Sequence, residues 1–283
     1  MAFLRIFLHY TLSKPEGASW EAYIRWLFAM WRYRRIIMNV HCPERTPDGI
    51  FTAILLNFRR PQNIEILARM LLQVPLIKRV IISNNNPKSN LSRFLRFSHP
   101  RLTVLQQPGQ RPCAYRYFIA RETQGEYFLC IDDDLFLLSS QVQKMCEETL
   151  KNPSVPHGMF GQELLKDGTF RYGISRREGR IDILNRIYAF SSPLLVRWHL
   201  LLEATGLSHD VEAMRMGWWD DMLLAFSGDS LPVSHDVGPY LDCCTQGEAG
   251  IATWREEEFF PSRDRLYKKL RTLRSITDGS IFS

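Results

Sequence analysis

The chain has 283 residues, of which 45% are apolar and 23% charged. That mix excludes wholesale disorder, a collagen-like repeat and a polytopic membrane protein, and the length suits one large domain or two small ones. Its six cysteines contain no C-x-x-C pair, and Cys243 and Cys244 are adjacent. A disulfide scaffold and a zinc ribbon are disfavoured, and a reducing compartment is expected. The net charge of +6 is uneven. Residues 1–45 carry seven Lys/Arg against three Asp/Glu, and residues 263–274 carry six against one. The stretch 46–262 is slightly acidic, with 23 against 25. A nucleic-acid protein lines its binding face with basic charge; basic ends on an acidic body fit an anionic membrane surface better.

Met1 to Leu12 is apolar apart from Arg5 and His9. It is shorter than the roughly 20 residues that span a bilayer. No small-residue cleavage site follows, so a signal peptide is not expected. Ser19 is placed to cap a helix in which Trp20, Ile24, Leu27 and Trp31 share one face. Glu21, Arg25 and Arg32 fall opposite, and Arg34 and Arg35 follow. Aromatics beside arginines suit a membrane headgroup zone; the same face would also serve as packing against the domain.

Phe51 to Phe58 is a continuous β-rich run, read as a buried parallel strand. Pro61 suits the first turn of the next helix, marked by Ile64, Leu67, Ala68, Leu71 and Leu72. Arg79 to Ser83 is a second strand, leading into Asn84-Asn85-Asn86-Pro87. A short helix near Ser89–Phe97 and a strand over Leu102–Leu105 are expected next. A helix from Pro112 to Thr123 precedes a strand from Glu126 to Ile131. Helices are then expected over Ser139–Leu150 and Ser192–Ala204, from Trp218 to about Gly228, and over Pro261–Leu273. A strand is expected at Ser230–Ser234, and residues 158–191 read as strands and loops. The alternation implies an α/β sheet with right-handed crossovers.

The strand at 126–131 ends in Asp132-Asp133-Asp134. Like charges this close raise one another's pKa, and a divalent cation removes the conflict. Open α/β sheets bind ligands at the carboxyl ends of their strands. In an extended segment Asp132 and Asp134 point one way and Asp133 the other. Hard oxygen ligands suit Mg2+ or Mn2+ gripping a diphosphate. A solvated acidic turn ahead of Ser139 is the plainer alternative. Arg59 and Arg60 would neutralise phosphate or form a surface turn. Asp220 and Asp221 follow a tryptophan pair and open a helix. They suit general-base work, acceptor positioning or stabilisation of positive charge, and also the ordinary helix-dipole role.

Four segments, in order, resemble the GT-A fold glycosyltransferases, most closely the exostosin-type group. They are Phe51–Pro61, Val80–Pro87, Tyr127–Leu135 and Trp219–Phe226. The resemblance covers roughly residues 50–228. It implies a mixed, mainly parallel α/β sheet flanked by helices. It implies a nucleotide-sugar donor, UDP-linked, with Mn2+ or Mg2+. A hexosyl or hexosaminyl group would pass to a hydroxyl of a glycan or lipid-linked acceptor. Carried over by position, Asp134 resembles the direct metal ligand and Asp132 its assistant. Asp133 would face the ribose or sugar. Asn84 and Asn85 resemble the nucleoside turn, and Arg116 the arginine kept for base or diphosphate. Asp221 and Asp220 resemble the catalytic carboxylates.

One motif departs from the group. After Gly250-Ile-Ala-Thr-Trp254 no histidine follows; Glu257 is near its place. Arg255 or Arg263 would supply the late arginine, and His235 is an alternative late ligand or a structural histidine. Residues 181–186 and 188–197 lie where the acceptor cleft is built. Two alternatives stay open. One is a degenerate GT-A domain that binds a sugar or partner. The other is a sugar-phosphate nucleotidyltransferase, disfavoured because Asn57–Pro61 has no glycine. The expected organisation is a basic amphipathic segment (1–45), a catalytic domain (46–260, divided into a donor half 46–138 and an acceptor half 139–260) and a basic tail (261–283). The expected location is cytoplasmic, at the inner face of a membrane, without nucleic acid.

Overall fold

A computed structural model describes residues 18–167, 169–247 and 253–277. The Met1–Leu12 segment and Gly250-Ile251-Ala252 lie outside the described residues. Helix α1 (Trp20–Met38) starts at Ser19, whose side chain accepts from the Ala22 N–H at 3.1 Å. It buries Tyr23, Leu27, Met30, Tyr33 and Ile37. Of the face read from sequence only Leu27 is buried; Trp20 and Ile24 are exposed and Trp31 is half-buried. The face is turned because Tyr33 and Trp26 anchor it. Tyr33 Oη donates to the Leu137 carbonyl at 2.9 Å, and Trp26 Nε1 to that of Asp242 at 2.6 Å.

Next come β1 (Phe51–Asn57), α2 (Pro61–Leu72), β2 (Ile77–Asn84), β3 (Leu102–Gln106), α3 (Tyr115–Thr123) and β4 (Tyr127–Ile131). Strands β3, β2, β1 and β4 are neighbours in that order and all parallel. Every residue of β1 is buried. Phe51, Ala53 and Leu55 enter one core, and Ile54 and Leu56 the other, which is why the strand reads as an unbroken apolar run. The helix expected at Ser89–Phe97 contracts to a 3-10 turn at Leu91–Arg93, because only Leu91 buries an apolar side chain there.

The second half adds β5 (Leu135–Phe136), α4 (Ser139–Lys151), β6 (His157–Leu164), β7 (Phe170–Ser175), β8 (Gly179–Arg180), β9 (Ile183–Ser191) and α5 (Ser192–Ala204). It continues with α6 (Val211–Met216), α7 (Asp220–Phe226), β10 (Val233–Ser234), β11 (Leu241–Asp242) and α8 (Phe259–Thr277). Strand β9 runs antiparallel between β4 and β6, and extends the sheet to β10 and β8. The sheet is therefore mixed around a parallel centre. Helices α1, α2 and α4 cover one face; α3, α5, α7 and α8 cover the other. The expected strand at Ser230–Ser234 shrinks to its last two residues. Strands β5 and β11 form a separate two-stranded clip beside the aspartate turn.

Candidate active site

The carboxyl ends of β1, β2 and β4 lie side by side. Asn57 Nδ2 donates to Asn84 Oδ1 at 2.7 Å, and Asn84 Nδ2 donates onward to Gln106 Oε1 at 2.8 Å. Asn85 Oδ1 accepts from Ser83 Oγ at 2.6 Å, and its Nδ2 donates to the Pro112 carbonyl at 3.2 Å. Both asparagines are buried, and these amides tie strand ends and loops together. Asn84 and Asn85, expected at the nucleoside turn, thus shape that turn through their side chains.

The three aspartates lie in a turn, so Asp133 and Asp134 share one guanidinium while Asp132 meets another, unlike the alternation expected of an extended segment. Asp133 turns back toward α2, where Arg60 Nη1 meets its Oδ1 at 2.7 Å and Asn63 Nδ2 donates to its carbonyl at 2.7 Å. The same Arg60 nitrogen lies 3.2 Å from Asp134 Oδ2. The two arginines expected to neutralise phosphate or form a surface turn are placed differently. Arg59 is exposed, its guanidinium 5.4 Å from the Phe58 ring, while Arg60 is buried among the aspartates. The turn into α2 at Pro61 aims residue 60 inward and residue 59 outward.

Arg116, on α3, is 4% exposed and joins the two acidic motifs. Its Nη2 donates to Asp132 Oδ1 at 2.8 Å, and its Nε lies 3.6 Å from Asp220 Oδ2. The approach of α7 to α3 depends on Gly217. It adopts φ +66°, its carbonyl accepts from Cys113 Sγ at 3.0 Å, and a Cβ there would sit 2.6 Å from Pro112 Cβ. Asp221, next along α7, is gripped from α8: Arg263 Nη1 and Nη2 reach its oxygens at 2.6 and 3.0 Å. Of the two late arginines named from sequence, Arg263 is buried here and Arg255 is exposed; Glu257, near the place of the missing histidine, is exposed too. His235 is held elsewhere, between His157 Nδ1 at 2.8 Å and Glu178 Oε1 at 2.7 Å.

Sequence reasoning did not assign roles to Arg186 and Asp242. Arg186 lies on β9 with φ +66°, where the pairing with β6 shifts register. Its Nη2 lies 3.2 Å from Asp134 Oδ1, and its Nη1 2.7 Å from Asp242 Oδ1 on β11. No spacing in the sequence signals these partners; only the β4–β9 and β5–β11 pairings bring them together.

Burial pushes the carboxyls of Asp132 and Asp133 upward, against the opposing pull of Arg116 and Arg60. Burial pushes Asp220 furthest, to about 7, with Asp221 and Asp132 adding to it and Arg116 opposing. Asp220 Oδ2 is buried without a hydrogen-bond partner, and so are Arg116 Nη1 and Arg186 Nε. Orphaned donors on two guanidiniums call for an explanation, and an anionic oxygen is the natural partner.

A divalent cation would find hard oxygens on Asp132 and Asp134, whose side chains are 30% and 13% exposed. Among the described residues no group of three or more His, Cys, Asp or Glu forms a closed metal cage. The donor set therefore suits Mg2+ or Mn2+ that takes its remaining ligands from a diphosphate and water. The charges agree. Asp132, Asp133, Asp134, Asp220, Asp221 and Asp242 outnumber Arg60, Arg116, Arg186 and Arg263 before any diphosphate arrives.

No curated protein matches the chain. Among solved structures, the fold is similar to the crystal structure of GalNAc-T7 with UDP, GalNAc and Mn2+. The TM-score is 0.54 at 7% identity, over 82% of this chain and 55% of that one. The likeness is one of fold, a GT-A glycosyltransferase fold, and this chain spans about half the length of that protein. The family model described as Glycosyl transferase family 2 matches residues 52–194, from β1 to the first turn of α5. The chain belongs to glycosyl transferase family 2.

Proposed function

We propose that this protein transfers a hexosyl or hexosaminyl group from a UDP-sugar to a hydroxyl of a glycan or lipid-linked acceptor, as the exostosin-type motifs imply. The observation that carries the reading is Arg116, buried between Asp132 and Asp220. It makes one site of the strand-end aspartates and the helix-start aspartates. In this reading Asp134 and Asp132 hold Mn2+ or Mg2+, which supplies positive charge for the departing diphosphate. Arg116 offers its orphaned Nη1 to the donor. Asp133 keeps Arg60 in place.

The resemblance aligns Asp221 with the last carboxylate of its motif and leaves base, acceptor-positioning and charge-stabilising roles open for Asp220 and Asp221. The geometry favours Asp220. Both oxygens of Asp221 accept hydrogen bonds from Arg263, which occupies the carboxylate's binding face. Asp220 has an oxygen without a hydrogen-bond partner, 3.6 Å from Arg116 Nε, and a pKa near 7, matched to accepting a proton from an acceptor hydroxyl. Asp221 then orients Arg263. A peripheral contact with an anionic membrane, through the exposed flank of α1, would bring the enzyme to a lipid-linked acceptor.

The test is calorimetric titration with a panel of nucleotide sugars, with and without Mn2+, followed by turnover. Metal-dependent binding of a UDP-sugar should be lost in Asp134→Ala. Asp220→Asn should bind the donor and lose turnover by about 10²- to 10⁴-fold. Equal donor binding by the wild type and Asp134→Ala overturns the donor site. Full turnover in Asp220→Asn with loss in Asp221→Asn gives the base role to Asp221 instead.

A further inference from the structure

Arg186 carries an unusual backbone for its position. A non-glycine residue at φ +66° within a strand is strained and persists only where its surroundings hold it. The surroundings here are specific. The Arg186 carbonyl accepts from the Asp132 N–H at 2.9 Å, so its backbone caps the aspartate turn. Its guanidinium lies 4.8 Å from the Phe160 ring and only 14% of the side chain is exposed. From there Nη2 reaches both the carbonyl and Oδ1 of Asp134, at 3.3 and 3.2 Å. Arg60 Nη1 takes the other oxygen, Asp134 Oδ2. Both oxygens of the expected metal ligand thus already face guanidinium groups.

A cation at Asp134 has to compete with these charges. Asp242, 2.7 Å from Arg186 Nη1, offers a place for the guanidinium to remain when it leaves Asp134. The buried Nε of Arg186 has no hydrogen-bond partner and would gain one from a phosphate oxygen. We propose that Arg186 is a positioning residue that reserves Asp134, keeping a divalent cation from binding until a nucleoside diphosphate arrives with it. This rests on the donor-site reading given under the proposed function. Its consequence is strong positive coupling: metal and diphosphate bind together, and each raises the affinity of the other by the same factor. Without that coupling, free metal would bind ahead of the donor.

Mn2+ binding, read by the paramagnetic resonance signal of the free ion, tests this with and without UDP. Two variants are informative. Arg186→Gly removes the guanidinium and suits φ +66°, so the fold should survive. Arg186→Met removes the charge while keeping much of the side-chain volume. Thermal melts confirm that each is folded. Without UDP, both should bind Mn2+ at least about tenfold more tightly than wild type, because a neighbouring positive charge has been removed. The tightening of Mn2+ by UDP should shrink correspondingly. Unchanged or weaker Mn2+ affinity in both folded variants, with wild-type coupling intact, overturns the role of Arg186 alone. Absence of any Mn2+ binding with UDP in the wild type overturns the donor-site reading, and this inference with it.

Discussion

Asp220 is a carboxyl placed where water does not reach and one oxygen has no hydrogen-bond partner. The backbone holds it there: Trp198 Nε1 donates to its carbonyl at 2.9 Å, in the core under α5. A carboxyl near 3.9 in the unfolded chain and near 7 in the folded one favours folding when protonated. The penalty is absent below about pH 4, grows as the pH rises, and is complete above about pH 7. Its upper bound is about 4 kcal/mol. Asp220→Asn removes this slope and leaves Arg116 its partner Asp132. Melting profiles of the two proteins should therefore converge near pH 4, with the variant increasingly the more stable toward pH 8. Asp132 and Asp133 also lie above their ordinary range, but they contribute to both proteins and leave the difference largely to Asp220. Parallel profiles across that range would remove the case for Asp220 as a group poised near neutrality.

At the scale of elements, α1 has two apolar faces with different fates. Tyr23, Leu27, Met30, Tyr33 and Ile37 enter the core. Trp20, Ile24, Phe28, Ile36 and Met38 are 45–61% exposed, and Arg25, Arg32 and Arg35 are exposed on the same helix. An apolar flank edged by arginines matches an anionic bilayer, with the arginines at the headgroups. Among the described residues no helix is long and apolar enough to cross a membrane. Sedimentation with vesicles containing phosphatidylserine should carry the wild type down at low salt and less at high salt. The double substitution Ile24→Glu and Phe28→Glu should abolish this without changing the melting temperature by more than a few degrees. Equal sedimentation of the two would refute the membrane reading.

Such faces show what was legible in the sequence. Strands β1, β2 and β4 were readable because burial on both faces makes their apolar runs continuous. The aspartate runs were readable because charge at a strand end is costly without a partner. The choice between Trp20 and Tyr23 as the core face was not, since both fall on apolar stripes of one helix. Helix α6 and the β5–β11 clip were missed because six- and two-residue elements carry too little periodicity. Arg186 and Asp242 were missed because their pairing is a property of topology.

For the molecule as a whole, α1 is part of the framework that holds the proposed site. Its Trp26 holds the carbonyl of Asp242, Asp242 holds Arg186, and Arg186 holds Asp134. Its Tyr33 lies against Phe136, with ring centroids 5.4 Å apart, directly behind the aspartate turn. The five buried residues of α1 join the same core as β1, α2 and α4. At roughly 1.5–3 kcal/mol per large apolar side chain, their burial contributes on the order of 10 kcal/mol. That is comparable to the entire stability of a typical domain, about 5–15 kcal/mol. The amphipathic segment expected over residues 1–45 thus also supplies a face of the core. Removing residues 1–39 should leave a chain without a cooperative thermal transition, and with it no Mn2+ or UDP binding, whether or not a membrane is present. A truncated chain that melts cooperatively near the wild-type temperature would show that α1 is an accessory to the fold. The paired substitutions Ile24→Glu and Phe28→Glu separate the two roles, because they alter only the exposed flank and leave the Tyr23–Ile37 face in the core.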